Sequence, residues 1–182
     1  MALINTTTTG VLGSTFYGDG SGNLTIQQNG VTVNKITSAP AFRAKKTASQ
    51  NIAGATFTKL TFDIADFNVG NCYDTSTSRF TPTVAGYYSI SAGIGTEGPG
   101  STISRIIIML YKNGASSGNY LNDIQWASGS TSQGYVFNGN DLTYLNGTSD
   151  YIEVYTYIGW SGNQAIAGLG NTRFSAFLAR AE

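Results

Sequence analysis

From Pro40 to the C-terminus no stretch of this chain repeats apolar residues at i, i+3, i+4 and i+7 for three turns, so no amphipathic helix is on offer to close a core. The sequence breaks instead into short runs rich in Val, Ile, Phe, Tyr and Thr, separated by Gly, Asn, Asp, Ser and Pro. Such runs read as strands and such separators as turns. The predicted strands are AFRAKK (41–46), FTKLTF (57–62), RFTPT (79–83), YYSISAGI (87–94), SRIIIMLYKN (104–113), GNYLND (118–123), QGYVFNG (133–139), LTYLN (142–146), DYIEVYTYIGW (150–160) and TRFSAFLARA (172–181). Ten short strands at this spacing make an all-β chain, a two-sheet sandwich or a closed barrel.

With 182 residues the chain can bury roughly 70% of the surface its unfolded form exposes, enough for a sizeable core. Ten basic and ten acidic residues leave no net charge, so the field that draws phosphate backbones is missing and nucleic acid is not an expected partner. Charged residues are only 11% of the chain, against roughly 25% in average soluble proteins, which leaves hydroxyls, amides and aromatic rings to make the surface contacts. The most apolar run, Ile106 to Tyr111, has the length of a strand and not of a membrane span, so no membrane insertion is expected. The opening MALINTTTTG has neither a basic start nor an apolar core and does not read as a secretory signal.

Catalytic chemistry finds few candidates. Without a histidine, Ser-His and Cys-His nucleophile pairs and the usual zinc sites are ruled out. Cys72, the one cysteine, has no partner for an intramolecular disulfide and reads as a small strand residue. Carboxylates at Asp63, Asp66, Asp74, Asp123, Asp141, Asp150 and Glu153 could in principle converge as a glycosidase pair. Asp63 and Asp66, three apart, would point to opposite faces of a strand. The expectation is a protein that is not an enzyme.

Residues 1–37 differ from the rest. The first 22 are rich in Thr, Gly and Ser, a composition that cannot order itself by burial. NLTIQQNGVTVNKIT then places the turn pair Asn29-Gly30 between alternating residues, the signature of a two-residue hairpin. Pairing across that turn sets Gln28 against Val31, Ile26 against Val33 and Leu24 against Lys35, so that Leu24, Ile26, Val31 and Val33 share one apolar face. A lone hairpin is marginal in water, so this face is expected to dock on something. Residues 1–37 are thus read as a docking segment and 38–182 as the main domain.

Two strands look apolar on both faces. Ile106, Ile107, Ile108, Met109 and Tyr111 do not alternate, and Tyr151, Tyr155 and Tyr157 oppose Ile152, Val154 and Ile158. A sandwich strand of this kind needs cover on its outer face, which a second subunit would supply. These eight residues, Ile106 to Met109 with Tyr111, Tyr151, Tyr155 and Tyr157, are the candidates for a subunit interface.

Within FDIADFNVGNCYDTSTSRFTPTVAGYYSIS, the residues Phe62, Asn68, Tyr73, Phe80, Gly86 and Tyr88 fall at intervening gaps of five, four, six, five and one residues. This spacing resembles the signature of the globular head domain of complement component C1q. PAFRAKK, LYKNG and RFSAFLA resemble that family's opening strand, mid-domain turn and closing strand, so the likeness runs from about residue 40 to the end. The two aromatics that the motif places after Tyr88 are Ile90 and Ala92 here. The resemblance implies a C1q/tumour necrosis factor-like jelly roll of ten strands in two sheets, assembled as a homotrimer, with the six motif residues as scaffold. It also implies a possible calcium ion near the threefold axis, for which Asp74, Asp123, Asn138, Asn140 and Asp141 are the oxygen donors at hand. No other cofactor is called for.

No collagen-like Gly repeat precedes the head, and GSTFYGDGSGNLTIQQNGVTVNKIT resembles the lead segments of virion fibre and tail proteins of tailed bacteriophages. The expected function is therefore a structural protein of the virion surface: a trimeric fibre or spike knob that adheres to the host. A capsid decoration protein anchored by its N-terminal segment is the alternative, and a glycan-cleaving spike a third reading. Trp126 and Trp160, flanked by amides and hydroxyls, are the candidates for stacking on a host-surface glycan. Expected partners are two further copies, other virion proteins through the N-terminal segment, and that glycan.

Overall fold

The computed structural model describes residues 15–18, 24–28, 31–36, 39–96, 102–131, 136–159, 163–166 and 171–182. Contacts divide the chain into two units, Met1–Ala39 and Pro40–Glu182. In the first, β1 (Thr15–Gly18), β2 (Leu24–Gln28) and β3 (Val31–Ile36) form an antiparallel sheet in that order. The predicted hairpin therefore carries a third strand. Its register departs from the expected one: Gln28 does oppose Val31, but a bulge between Ile26 and Gln27 moves Ile26 to Asn34 and Leu24 to Ile36. Val33 becomes the extra residue of the bulge, an insertion that local twist favours and alternation cannot foresee. The turn pair Asn29-Gly30 lies outside the described residues.

The second unit holds β4 (Ala41–Lys45), β5 (Gln50–Ala53), β6 (Thr58–Lys59), β7 (Ile64–Val69), β8 (Tyr73–Asp74), β9 (Arg79–Phe80), β10 (Gly86–Gly95), β11 (Thr102–Lys112), β12 (Ala115–Thr131), β13 (Val136–Leu145), β14 (Ile152–Gly159), β15 (Asn163–Ile166) and β16 (Arg173–Ala181). One sheet runs β13-β10-β16-β4-β7, the other β12-β11-β14-β9-β8 with β6 added beside β14, and β5 pairs with β15 apart from both. Every pairing is antiparallel. No helix occurs among the described residues. This is an all-β jelly roll of two sheets packed face to face, as the strand pattern and the motif spacing lead one to expect.

Alternation builds each layer. In β4, Phe42 and Ala44 are buried between outward residues; in β16, Phe174 and Ala176 are; in β10, Tyr88, Ile90, Ala92 and Ile94 are. From the opposite sheet come Ile106, Ile108 and Leu110 of β11 and Ile152, Val154 and Ile158 of β14. The β11–β12 hairpin turns at Asn113-Gly114, whose φ values of 55° and 79° give the mirror-image turn that matches strand twist. Strand β13 merges two predicted runs, and β12 crosses it so closely that a Cβ on Gly139 would lie 2.2 Å from the Leu121 carbonyl oxygen.

Candidate functional site

Four of the six motif residues, Phe62, Tyr73, Phe80 and Tyr88, belong to the buried core of the sandwich. Phe42 stacks on Tyr73 with ring centroids 4.4 Å apart and planes 6° from parallel, and contacts Phe80 at 5.0 Å and Phe174 at 4.8 Å. Phe62 meets Phe174 at 5.5 Å, and Phe80 meets Tyr88 at 5.2 Å. Both tyrosines spend their hydroxyls on backbone: Tyr73 donates to the Phe62 carbonyl at 3.1 Å, Tyr88 to that of Val84 at 2.7 Å. Asn68 ties the β7–β8 turn, accepting from the Cys72 and Tyr73 amides and donating to the Tyr73 carbonyl. Gly86 has a φ of 156°, and a Cβ there would lie 2.3 Å from the Arg180 carbonyl oxygen. These residues hold the two sheets together.

The proposed subunit-contact strands divide by parity. Ile106 and Ile108 belong to the chain's own core, so they cannot face a neighbour, and they drop out as interface residues. Ile107 and Met109 point the other way, yet are only 2% and 4% exposed in the single chain. Their neighbours across the register explain this: Ile107 lies between Asp123 and Tyr157, Met109 between Tyr120 and Tyr155. Tyr111 stacks on Tyr155 at 3.7 Å, Phe57 packs on Tyr157 at 5.4 Å, and Arg105 grips Asp123 at 2.8 and 2.6 Å. Rings and ion pairs of the same sheet thus supply the cover that a second subunit was expected to provide.

Charge on this outer face is fixed in place. Glu153, 2% exposed, accepts from Lys59 at 2.5 Å and from Arg79 at 2.8 Å, and Arg79 lies over the Tyr151 ring at 4.2 Å. Burial pushes the Glu153 carboxyl up, but the two cationic donors outweigh it and hold the group below its usual range.

The exposed apolar surface lies on the opposite sheet. Of the large apolar side chains exposed among the described residues, all but Tyr120 stand there: Ile64, Phe67 and Val69 on β7, Tyr87 on β10, Val136 and Leu142 on β13, and Phe177 on β16. Register places three of them, Leu142, Phe177 and Val69, in one row with Ser89 and Ala41, and Phe67 in the next with Asn140, Ser91, Ser175 and Arg43. Asp66, the bulged residue of edge strand β7, pairs with Arg43 at 3.2 Å and Lys45 at 2.6 Å. A bulge with a paired charge hinders edge-to-edge strand addition. Phe177 could have been found from sequence: in RFSAFLA it takes the parity of Arg173 and Ser175, where alternation calls for a polar residue.

The remaining candidates do not converge. Trp126 is half-buried against the core, its ring edge-on to Phe137 at 5.9 Å, while Trp160 lies outside the described residues. Of the possible calcium donors, Asn138, Asn140 and Asp141 stand on β13 and not in loops; Asp74 accepts from Ser76 and Thr77, and Asp123 is taken by Arg105. Among the described residues no group of three or more acidic, cysteine or histidine side chains could hold a metal ion. The carboxylates are scattered into separate pairs, Asp63 with Thr47, Asp66 with Arg43, and Asp150 with Lys112.

Two face-to-face sheets, a ring-packed centre and one sheet with exposed apolar side chains define an all-β jelly-roll module of the binding or structural kind. Residues 41–178 match the C1q domain family, and the chain belongs to it. Among solved structures, the globular domain of zebrafish complement 1qA protein is similar with a TM-score of 0.56 and 17% identity, over 79% of this chain and 99% of that one. Murine APRIL at pH 8.0 follows with 0.52 and 10%, over 77% and 98%. Likenesses at such identities carry the fold. No curated protein matches the chain significantly.

Proposed function

We propose that the chain is a non-enzymatic homotrimeric adhesion head displayed on the surface of a virion of a tailed bacteriophage, as a fibre or spike knob. The observation that carries the assembly is the exposed row Leu142, Phe177 and Val69 with Phe67, Ile64 and Tyr87 beside it, an apolar face of a kind that marks association surfaces. Domains of the C1q and tumour necrosis factor type commonly form homotrimers, which supports three copies around this face. Three heads would raise avidity for a repeated host-surface glycan without any new contact. The virion setting rests on the likeness of residues 13–37 to lead segments of phage fibre and tail proteins. Light scattering tests the assembly: the expected mass is three times the 19.2 kDa of one chain, and a mass of one chain refutes it. Immunogold labelling of intact particles tests the setting: label on the tail supports the knob, label over the head replaces it by a capsid decoration protein, and unlabelled particles overturn both.

A further inference from the structure

Between the β7–β8 turn and β9 the main unit opens a cleft of about 540 Å³, lined by Asn68, Asn71, Cys72, Tyr73, Asp74, Thr75, Arg79 and Thr81. Its volume falls within the roughly 300–1,000 Å³ of small-molecule sites. The lining separates into spent and unspent groups. Asn68 is wholly engaged by the turn, Cys72 and Tyr73 are buried, and the Cys72 thiol is pushed by burial up to about 11. By contrast the Asn71 amide and the Thr75 and Thr81 hydroxyls take no side-chain partner among the described residues. Arg79 spends its Nε on Glu153 and one face on Tyr151, leaving its terminal nitrogens as donors. Asp74 lies in the cleft wall with both carboxylate oxygens already accepting from Ser76 and Thr77, bonds that hold its carboxyl below the usual range.

We infer that this cleft is a binding site for a neutral sugar ring of a glycan. One guanidinium, one amide and two hydroxyls around a small volume match a ring whose vicinal hydroxyls each donate and accept. The charges decide for a neutral ring: Arg79 is already paired with Glu153, and an added anion would meet the Asp74 carboxylate in the wall. The inference deepens the adhesion reading and rests on it for its biological sense, but the cleft is complete within one chain and its test does not depend on the trimer.

The test is amide-resolved NMR of the full chain, titrated separately with D-glucose, D-galactose, D-mannose, N-acetyl-D-glucosamine and D-glucuronate. The expected result is saturable shifts confined to residues 68–81 for at least one neutral sugar. Asn71→Gly, which keeps the positive φ of 47° accessible, and Thr81→Val, which keeps the shape, should each weaken binding about fivefold with an unchanged fold. Absence of shifts at 68–81 with every neutral sugar, response to glucuronate alone, or variants that bind as the parent does would each overturn the site. A trimer that labels on the particle while the cleft binds no sugar would leave the adhesion reading standing and remove only this inference.

Discussion

At Gly86 a single missing methyl decides whether β10 can pair with β16. Its Cβ would sit 2.3 Å from the Arg180 carbonyl oxygen and 2.9 Å from the Ala181 Cα, backbone that cannot swing aside as a side-chain tip can. Gly86→Ala should therefore cost about 2–4 kcal/mol, read as a lowered midpoint in urea at unchanged slope. The buried hydroxyls and thiol make a second prediction, on pH. Burial pushes Tyr88 up to about 12 and Cys72 up to about 11, and raises Tyr73 well above its ordinary value. The folded chain therefore keeps protons that the unfolded chain releases near pH 9–10, so above that range the unfolded state binds fewer and stability falls as pH rises from there through the raised values of the folded chain. Lys46 acts in the opposite sense. Buried, with its ammonium on the Thr61 carbonyl and hydroxyl, it is lowered from 10.5, and its penalty is relieved as pH rises. Tyr88→Phe should flatten the alkaline decline and Lys46→Met should steepen it, both followed by thermal melts between pH 7 and 11.

Strands β14, β6 and β9 meet at the Glu153 carboxylate, which gives the outer sheet one electrostatic pin joining otherwise short pairings. Glu153→Gln would leave Lys59 and Arg79 without their anion; since both cations are partly exposed, the loss should be about 1–2 kcal/mol by urea denaturation. Because Glu153 is held below its usual range, its contribution is present above the unfolded value and is lost as pH falls through the folded one, and the variant should lack that part of the acid transition. The strands with strict alternation, such as β4 and β16, were legible from sequence, and so was the fold, because Phe62, Phe80 and Tyr88 are both the family spacing and the core. Strand β7 was not legible. Its Asp66 bulge breaks alternation and its edge position exposes Ile64, Phe67 and Val69, so it reads as a loop. Nor was the true cover of Ile107 and Met109, since tyrosines two positions apart on β14 look like a second apolar face until the register shows them lying over β11.

The Pro40–Glu182 unit presents two unlike faces: an outer sheet whose apolar residues are roofed by tyrosines and ion pairs, and an opposite sheet whose apolar residues stand open. If copies associate, the open face is where burial is still to be gained, because each large side chain withdrawn from water contributes roughly 1.5–3 kcal/mol before the cost of association. Leu142 and Phe177, 59% and 55% exposed, flank Ser89 in one row and lie far from the ring-packed centre in function, since neither belongs to the core. A charge placed at both should therefore leave the folded single chain intact while making the buried assembly untenable. The double variant Leu142→Glu with Phe177→Glu is expected to keep the parental far-ultraviolet spectrum and to scatter light as one chain of 19.2 kDa, where the proposed trimer of the parent would scatter as three. Tyr120→Ser, which changes the exposed apolar residue of the other sheet, should scatter as the parent does. A double variant that retained the parental mass would move the interface off this sheet, and a Tyr120→Ser chain that fell to a single-chain mass would move it to the roofed face.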